Sequence, residues 1–268
     1  MIIPAPKDIA FSIFNIPIYW YGIIMAFAIL VSILVANKLY TKINQPNHKD
    51  LIIEYAPLII VLGIFCARIY FCCLNPEYYF SHPIEILDIR EGGLSIHGGI
   101  IGGIIAVYIM SKRSKTSFIS LIDAVACSTI LGQAIGRWGN YFNSEAYGYP
   151  TSMQNWGLYI PVERRINQYS NYELFHPTFL YESILDLISF IILCFIYKKC
   201  AAKYKGVTLF AYLTIYAIIR YFIEKIRIDS ALNIGSLPIA ELVSFILLAI
   251  GIIGIIFVII KNKNVKKY

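Results

Sequence analysis

The chain has 268 residues, of which 58% are apolar and 15% charged. That composition excludes an ordinary soluble domain, and unbroken apolar runs long enough to cross a hydrocarbon core of about 30 Å identify an integral membrane protein. The net charge of +7 does not point to nucleic acid, because most Lys and Arg lie in short loops between the apolar runs.

In chain order, seven runs have the length of a spanning helix: 16–37, 51–74, 94–110, 117–137, 177–197, 206–225 and 237–260. The spacing predicts an all-α fold of seven transmembrane helices in a single polytopic domain, 1–268. The N-terminus lacks the basic region and small-residue cleavage site of a signal peptide, so the first run is expected to stay in the mature protein. Runs three and four are interrupted by Ser95, His97, Asp123 and Gln133. Gly98, Gly99, Gly102 and Gly103 in run three suggest a face of small residues for close helix packing. Six cysteines fall in or beside apolar runs without a C-x-x-C pair, so packing is expected of them rather than metal or redox chemistry.

Loop charge sets the orientation. With the N-terminus outside, the inner segments hold Lys38, Lys42, Lys49, Lys112, Arg113, Lys115, Lys198, Lys199, Lys203, Lys205, Lys261, Lys263, Lys266 and Lys267. The outer segments hold only Lys7, Arg90, Arg164, Arg165 and Arg227. The positive-inside rule therefore predicts the N-terminus out and the C-terminus in. The longest loop, about 138–176, then forms a small extracytoplasmic cap.

Four cations remain near or within the spans: Arg68, Arg137, Arg220 and Lys225. A cation at mid-bilayer costs about 2.5–3.5 kcal/mol on insertion scales, so each needs a reason. On the predicted topology they fall toward the outer ends, as do Tyr21, His97 and His176. Groups from six spans thus share one depth, which points to a site. Simpler readings stand beside this one. Arg68 and Lys225 are compatible with snorkelling to headgroups, and Arg220 with a structural ion pair to Glu224 four residues on. His176, before Pro177, suits a helix start; Gln133 and Asp123 suit interhelical hydrogen bonding. Tyr216, Arg220, Glu224 and Arg227 form one polar stripe by helical spacing. His97 carries an imidazole, the side-chain type suited to proton transfer in the physiological range, and is followed by glycines that admit a close approach to the backbone. The densest polar cluster outside the basic loops is 136–148, with a guanidinium, two carboxamides, a carboxylate and three glycines. A guanidinium fork holds phosphate oxygens in fixed geometry, and Asn amides hold hydroxyls, so the residues predict an outer-leaflet site for a phospholipid headgroup.

Several segments together carry a family resemblance: W-Y-G at 20–22, G-L-S-I-H-G-G at 93–99, G-R-W-G-N-Y-F-N-S-E-A-Y-G at 136–148, H-P-T-F-L-Y-E-S at 176–183, and the stripe from Tyr216 to Arg227. In these the chain resembles the bacterial prolipoprotein diacylglyceryl transferases. The resemblance implies transfer of the diacylglyceryl group of phosphatidylglycerol to the lipobox cysteine thiol of a prolipoprotein, with a thioether formed and glycerol phosphate released. It implies a multi-pass protein of the bacterial cytoplasmic (inner) membrane whose partners are phosphatidylglycerol, prolipoprotein signal peptides and membrane lipids, with no metal, cofactor or nucleic acid. It carries the family's functional positions to Tyr21, His97, Arg137, Asn140, Asn143, Glu145, Gly148, Tyr216 and Arg220. Two positions depart from the pattern: Ala217 stands where Gly is common, and Tyr141 where Phe is usual.

On that reading the nucleophile is the substrate's own cysteine, which attacks as thiolate, and His97 is the candidate base. Arg137 and Arg220 are candidates to bind the departing phosphate more strongly as its charge grows. Asn140, Asn143 and Tyr21 would position the headgroup, and Glu145 would orient an Arg or a substrate hydroxyl. The alternative from a different class is an anion or lipid transporter, but repeated halves and polar groups through the whole thickness are absent from the sequence. An intramembrane protease would need a G-x-S-x-G or a pair of intramembrane aspartates, and neither stands out.

Overall fold

The structure, a computed structural model, describes residues 1–44, 49–89, 92–153, 155–228, 233–234 and 237–264. Three basic residues used above for orientation, Arg90, Lys266 and Lys267, lie outside them. The fold is all-α and multi-span. Its helices are α1 (Trp20–Asn44), α2 (Leu51–Glu54), α3 (Ala56–Leu74), α4 (Pro76–Ser81), α5 (Ile96–Ser114), α6 (Phe118–Asn143), α7 (Thr178–Cys200), α8 (Val207–Glu224) and α9 (Ile239–Asn264). Among the described residues, six of these are long and apolar enough to cross a membrane: α1, α3, α6, α7, α8 and α9.

The expected third span is the exception. Residues 94–110 do contribute a helix, α5, of 19 residues. Four glycines, His97 and a last turn carrying Lys112 and Arg113 dilute its apolarity, so it is not one of the six. Its glycines are spent on packing. A Cβ on Gly98 would overlap the Cys66 carbonyl of α3, and one on Gly102 would overlap that of Leu62. Backbone-to-backbone contact of this kind needs small residues four apart, as the sequence suggested.

Other boundaries shift for local reasons. The run 51–74 breaks at Tyr55 between α2 and α3, because Pro57 lacks an N–H for the helical ladder and fits only a first turn. The run that begins at residue 16 starts as a strand rather than a helix. Strands β1 (Ile2–Ile3), β2 (Ile9–Ile13) and β3 (Ile16–Tyr19) precede α1. Strands β2 and β3 form a hairpin whose turn residues, Phe14 and Asn15, take φ of 47° and 63°, the left-handed pair that matches strand twist. Helix α6 begins at an N-cap, where the Ser117 hydroxyl accepts the Ser120 N–H at 3.4 Å. It runs through Asn143, six residues beyond the expected end, and stops where Ser144 turns to φ 51°.

Between α6 and α7, strands β4 (Gly157–Tyr159) and β5 (Leu174–Phe175) join β1 in the order β1-β4-β5, with β1 parallel to β4 and β4 antiparallel to β5. Tyr147, Leu158, Ile160, Phe175 and Phe179 form their own small core. Strands β6 (Asn233–Ile234) and β7 (Leu237–Pro238) precede α9.

Helix α6 is the axis of the bundle and touches α1, α5, α7 and α8. The main apolar core gathers Leu39 and Tyr40 from the end of α1, Met110 from the end of α5, Leu121 from the start of α6, Leu193 and Tyr197 from the end of α7, and Ala211 from the start of α8. All of these lie at the end of the bundle that carries the basic loops. At that end the fully buried Asp123 of α6 accepts the Gly206 N–H at 2.6 Å and the Leu209 N–H at 2.8 Å. A carboxylate from one helix thus caps the N-terminus of another, satisfying donors that α8 cannot satisfy itself. Replacing Asp123 with Ala strands those donors at a cost of about 1–3 kcal/mol. Asp123→Ala is therefore expected to lower the thermal midpoint of the detergent-solubilised protein, and Asp123→Asn, which keeps one acceptor, to lower it less. Equal midpoints for Asp123→Ala and the parent protein would show that this cap carries no stability.

Candidate active site

The opposite end of the bundle is polar. Helix α6 places Gln133, Arg137 and Asn140 at steps of four and three residues, one face of a helix. The Arg137 guanidinium forms an ion pair with Glu182 of α7, whose side chain is 3% exposed. Asp186, one turn further along α7 and also buried, lies within electrostatic reach of both Arg137 and Glu182. Sequence reasoning quoted Glu182 within its motif and gave it no role; it did not single out Asp186. The available signal was physical: a carboxylate inside an apolar run needs a cationic partner.

Beyond Arg137 the chain folds back on itself. Ser144 in the left-handed region lets the Glu145 N–H reach the Asn140 carbonyl at 3.1 Å. Glu145 Oε1 then accepts Asn140 Nδ2 at 2.8 Å and Asn143 Nδ2 at 3.4 Å. One carboxylate thus fixes both carboxamides. Tyr21 of α1 lies over Gly139: a Cβ there would stand 2.8 Å from the phenol ring. The charges of Glu145 and Arg137 both act on that phenol. The structure therefore brings Tyr21, Arg137, Asn140, Asn143 and Glu145 together.

Gly148 has a packing role. Its N–H donates to the His176 carbonyl at 2.9 Å, and it bridges to Arg227 beyond α8. An added Cβ would meet His176 Cβ at 2.8 Å and the Ile226 carbonyl at 3.0 Å. Only a glycine permits that approach, which ties the loop after α6 to the ends of α7 and α8.

Helix α8 presents Tyr212, Tyr216, Arg220 and Glu224 at successive four-residue steps. Tyr212 stacks on Tyr216 with centroids 5.9 Å apart, and its hydroxyl donates to Gln133 Oε1 of α6 at 3.3 Å. Arg220 Nη2 lies 2.6 Å from Glu224 Oε2, the ion pair that the spacing allowed. The approach is out of line for a hydrogen bond, since Glu224 Oε2 has no hydrogen-bond partner among the described residues. Nor does Arg220 Nη1, which is likewise buried. A buried guanidinium N–H without an acceptor is costly and is suited to receive a ligand oxygen.

Both arginines lie toward the polar end of the bundle. Asp123 meets Gly206 where α6 and α8 begin side by side, and Arg137 and Arg220 each lie fourteen residues further on. At 1.5 Å per residue both are about 21 Å from that contact. The Gln133–Tyr212 hydrogen bond is a second link between α6 and α8, ten residues on from Asp123 and six on from Gly206.

His97 is held differently. It sits exposed in the first turn of α5, with its ring against Tyr70 of α3 at 5.8 Å, and its described contacts do not join it to the Arg137 cluster. Lys225 pairs with Glu241 of α9 at 2.7 Å rather than standing alone. Arg68 is buried, as described below. The six cysteines are free thiols, with Cys127 and Cys194 3.7 Å apart between α6 and α7. Among the described residues no three His, Cys, Asp or Glu side chains gather as metal donors.

Comparison with known proteins identifies the family. The family model described as prolipoprotein diacylglyceryl transferase matches residues 8–257. The phosphatidylglycerol–prolipoprotein diacylglyceryl transferase of Clostridium novyi is 43% identical over 264 residues, covering 97% of this chain and 99% of the relative. The enzyme of the same description from a Nostoc species is 42% identical over 263 residues, covering 97% and 92%. That of Clostridioides difficile is 40% identical over 256 residues, covering 96% and 97%. The chain belongs to the prolipoprotein diacylglyceryl transferase family.

Proposed function

We infer that this protein transfers the diacylglyceryl group from phosphatidylglycerol to the lipobox cysteine thiol of prolipoproteins. The sulfur attacks the glycerol carbon that bears the phosphate. A C–S bond forms as the C–O bond breaks, the electron pair stays on the phosphate oxygen, and glycerol phosphate departs. The observation that carries this reading is the pair of guanidinium groups toward the same end of α6 and α8, one of them with a buried Nη1 that has no hydrogen-bond partner among the described residues. Donors fixed before the reaction bind the phosphate better as it gains charge, so they lower the barrier rather than merely holding the substrate.

Arg137 and Arg220 take the phosphate. Glu182 and Glu224 hold them in place without neutralising every donor. Asn140 and Asn143, oriented by Glu145, take the glycerol hydroxyls with Tyr21 beside them, while Tyr216 and Gly148 shape the walls. His97 takes the thiol proton. Its exposure on α5, apart from the arginines, suits a group that meets the peptide substrate rather than the lipid phosphate.

We further propose seven crossings, with α5 as the additional one, in the bacterial cytoplasmic membrane. The packing of α5 along α3 through Gly98 and Gly102 supports this, as does the excess of basic residues at one end of the bundle. The N-terminus and residues 144–177 then lie outside, the latter as a cap over the site.

Two measurements test these readings. Purified protein incubated with phosphatidylglycerol and a lipobox peptide should add one diacylglyceryl group to the peptide cysteine by mass. Arg220→Lys, which replaces a fork by a point charge, should slow that transfer about 10²-fold at unchanged abundance. A normal rate removes Arg220 from the mechanism. For topology, an alkaline phosphatase fused after Ser152 should be active and one fused after Lys115 inactive; the reverse pattern inverts the orientation.

A further inference from the structure

Arg68 donates to four backbone carbonyls, and the mechanism above does not use it. It lies in the outer part of α3 and is 7% exposed. It does not snorkel. Its Nε donates to the Ile86 carbonyl at 2.9 Å, Nη1 to the carbonyls of Gly92 at 3.2 Å and Gly93 at 3.0 Å, and Nη2 to the carbonyl of Glu85. The guanidinium also faces the rings of Phe71 at 5.9 Å and Tyr79 at 5.2 Å. Its acceptors all belong to the stretch joining α4 to α5, and they stand on both sides of residues 87–91. One side chain thus ties the two ends of that stretch together.

The neighbours of Arg68 on α3 continue the seat. The Ala67 carbonyl accepts the Ser95 N–H at 3.1 Å. Tyr70 packs against the His97 ring, and Gly98 rests against the Cys66 carbonyl. Gly93 takes φ of 72°, and a Cβ there would overlap Arg68 Nη1. From Gly92 to Gly98, the chain is therefore laid along one face of α3. Arg68 holds the part before the first turn of α5, the part free of any helical constraint.

We propose that Arg68 is a positioning residue for transfer: through its hold on the Gly92–Ser95 backbone it sets where the His97 imidazole meets the substrate thiol. The inference rests on the assignment of His97 as base. A planar fork with donors on three nitrogens spans four carbonyls; a Lys ammonium cannot span them from one point. Loss of the hold displaces His97 without touching Arg137, Arg220 or the lipid-binding carboxamides. A misplacement of about 1 Å in a reacting group is enough to slow a reaction about 10²-fold.

The test is a double-mutant cycle on the detergent-solubilised full-length protein, assayed by transfer from phosphatidylglycerol to a lipobox peptide. Arg68→Lys should lower kcat between about tenfold and 10²-fold, with KM for phosphatidylglycerol unchanged. In a His97→Gln background the same substitution should cost nothing further, because the group it places is gone. A purely structural Arg68 would cost the same factor in both backgrounds, and additive losses overturn the proposal. So does Arg68→Lys at the parent rate. Should Arg68→Lys fail to accumulate, Gly93→Ala, which pushes the same guanidinium from the other side, must give the same non-additive pattern. His97→Gln at the parent rate rejects the base assignment, and Arg68's role with it, while leaving the transferase reading intact. Absence of transfer by the parent protein rejects the transferase reading itself.

Discussion

A charge or an unpaired polar group inside hydrocarbon must find its partner within the protein, and that constraint places the helices of this bundle. Three contacts between helices show how: Asp123 of α6 caps α8, Arg137 of α6 pairs with Glu182 of α7, and Lys225 at the end of α8 pairs with the buried Glu241 of α9. Apolar faces alone would leave these helices free to slide, because lipid competes equally for them. The polar contacts set the register. With α6 and α8 joined at Asp123 and again at Gln133–Tyr212, the two arginines are carried toward the same end of the bundle.

The same pairs govern how the site can work. A guanidinium held by a single carboxylate keeps donors in hand, and one whose donors were all satisfied would bind phosphate only by breaking what it has. Arg68 illustrates the second condition: its three nitrogens are committed to backbone carbonyls, so it holds a segment of chain rather than a ligand. Arg220 illustrates the first, with Nη1 buried and unpartnered among the described residues. The difference lies in the neighbours rather than in the residue type. Removing Glu182 or Glu224 would take the paired carboxylate from a largely buried guanidinium, so these carboxylates belong with the arginines they hold.

The polar end and the dry end of the bundle divide the labour. Ile, Leu, Ala and Tyr side chains close the end near the basic loops around α6. At the other end α6 continues past Arg137, then turns at Ser144 so that Glu145 comes back over Asn140 and Asn143. Gly148 presses that loop against the ends of α7 and α8, which keeps the turn from drifting off the site.

Much of this was legible in the residues themselves. Apolar runs announced the spans, because burial in lipid requires a minimum length of apolar chain. The stripe Tyr216–Arg220–Glu224 was legible because helical periodicity is local, as was the small-residue face of α5. The block 136–148, dense in polar groups after an apolar helix, marked the cluster that Arg137, Asn140, Asn143 and Glu145 form. What the sequence by itself could not determine were contacts between residues far apart in the chain. Whether Arg137 would meet Glu182, and Arg68 four carbonyls of a later segment, depends on how helices pack, and no spacing along one helix encodes that. The same holds for α5, whose composition falls short of a plain apolar span and whose place is settled by glycines lying against α3. Local chemistry wrote the elements and the inventory of charges; only the packing of one helix on another decided which partner a charge would face across the bundle.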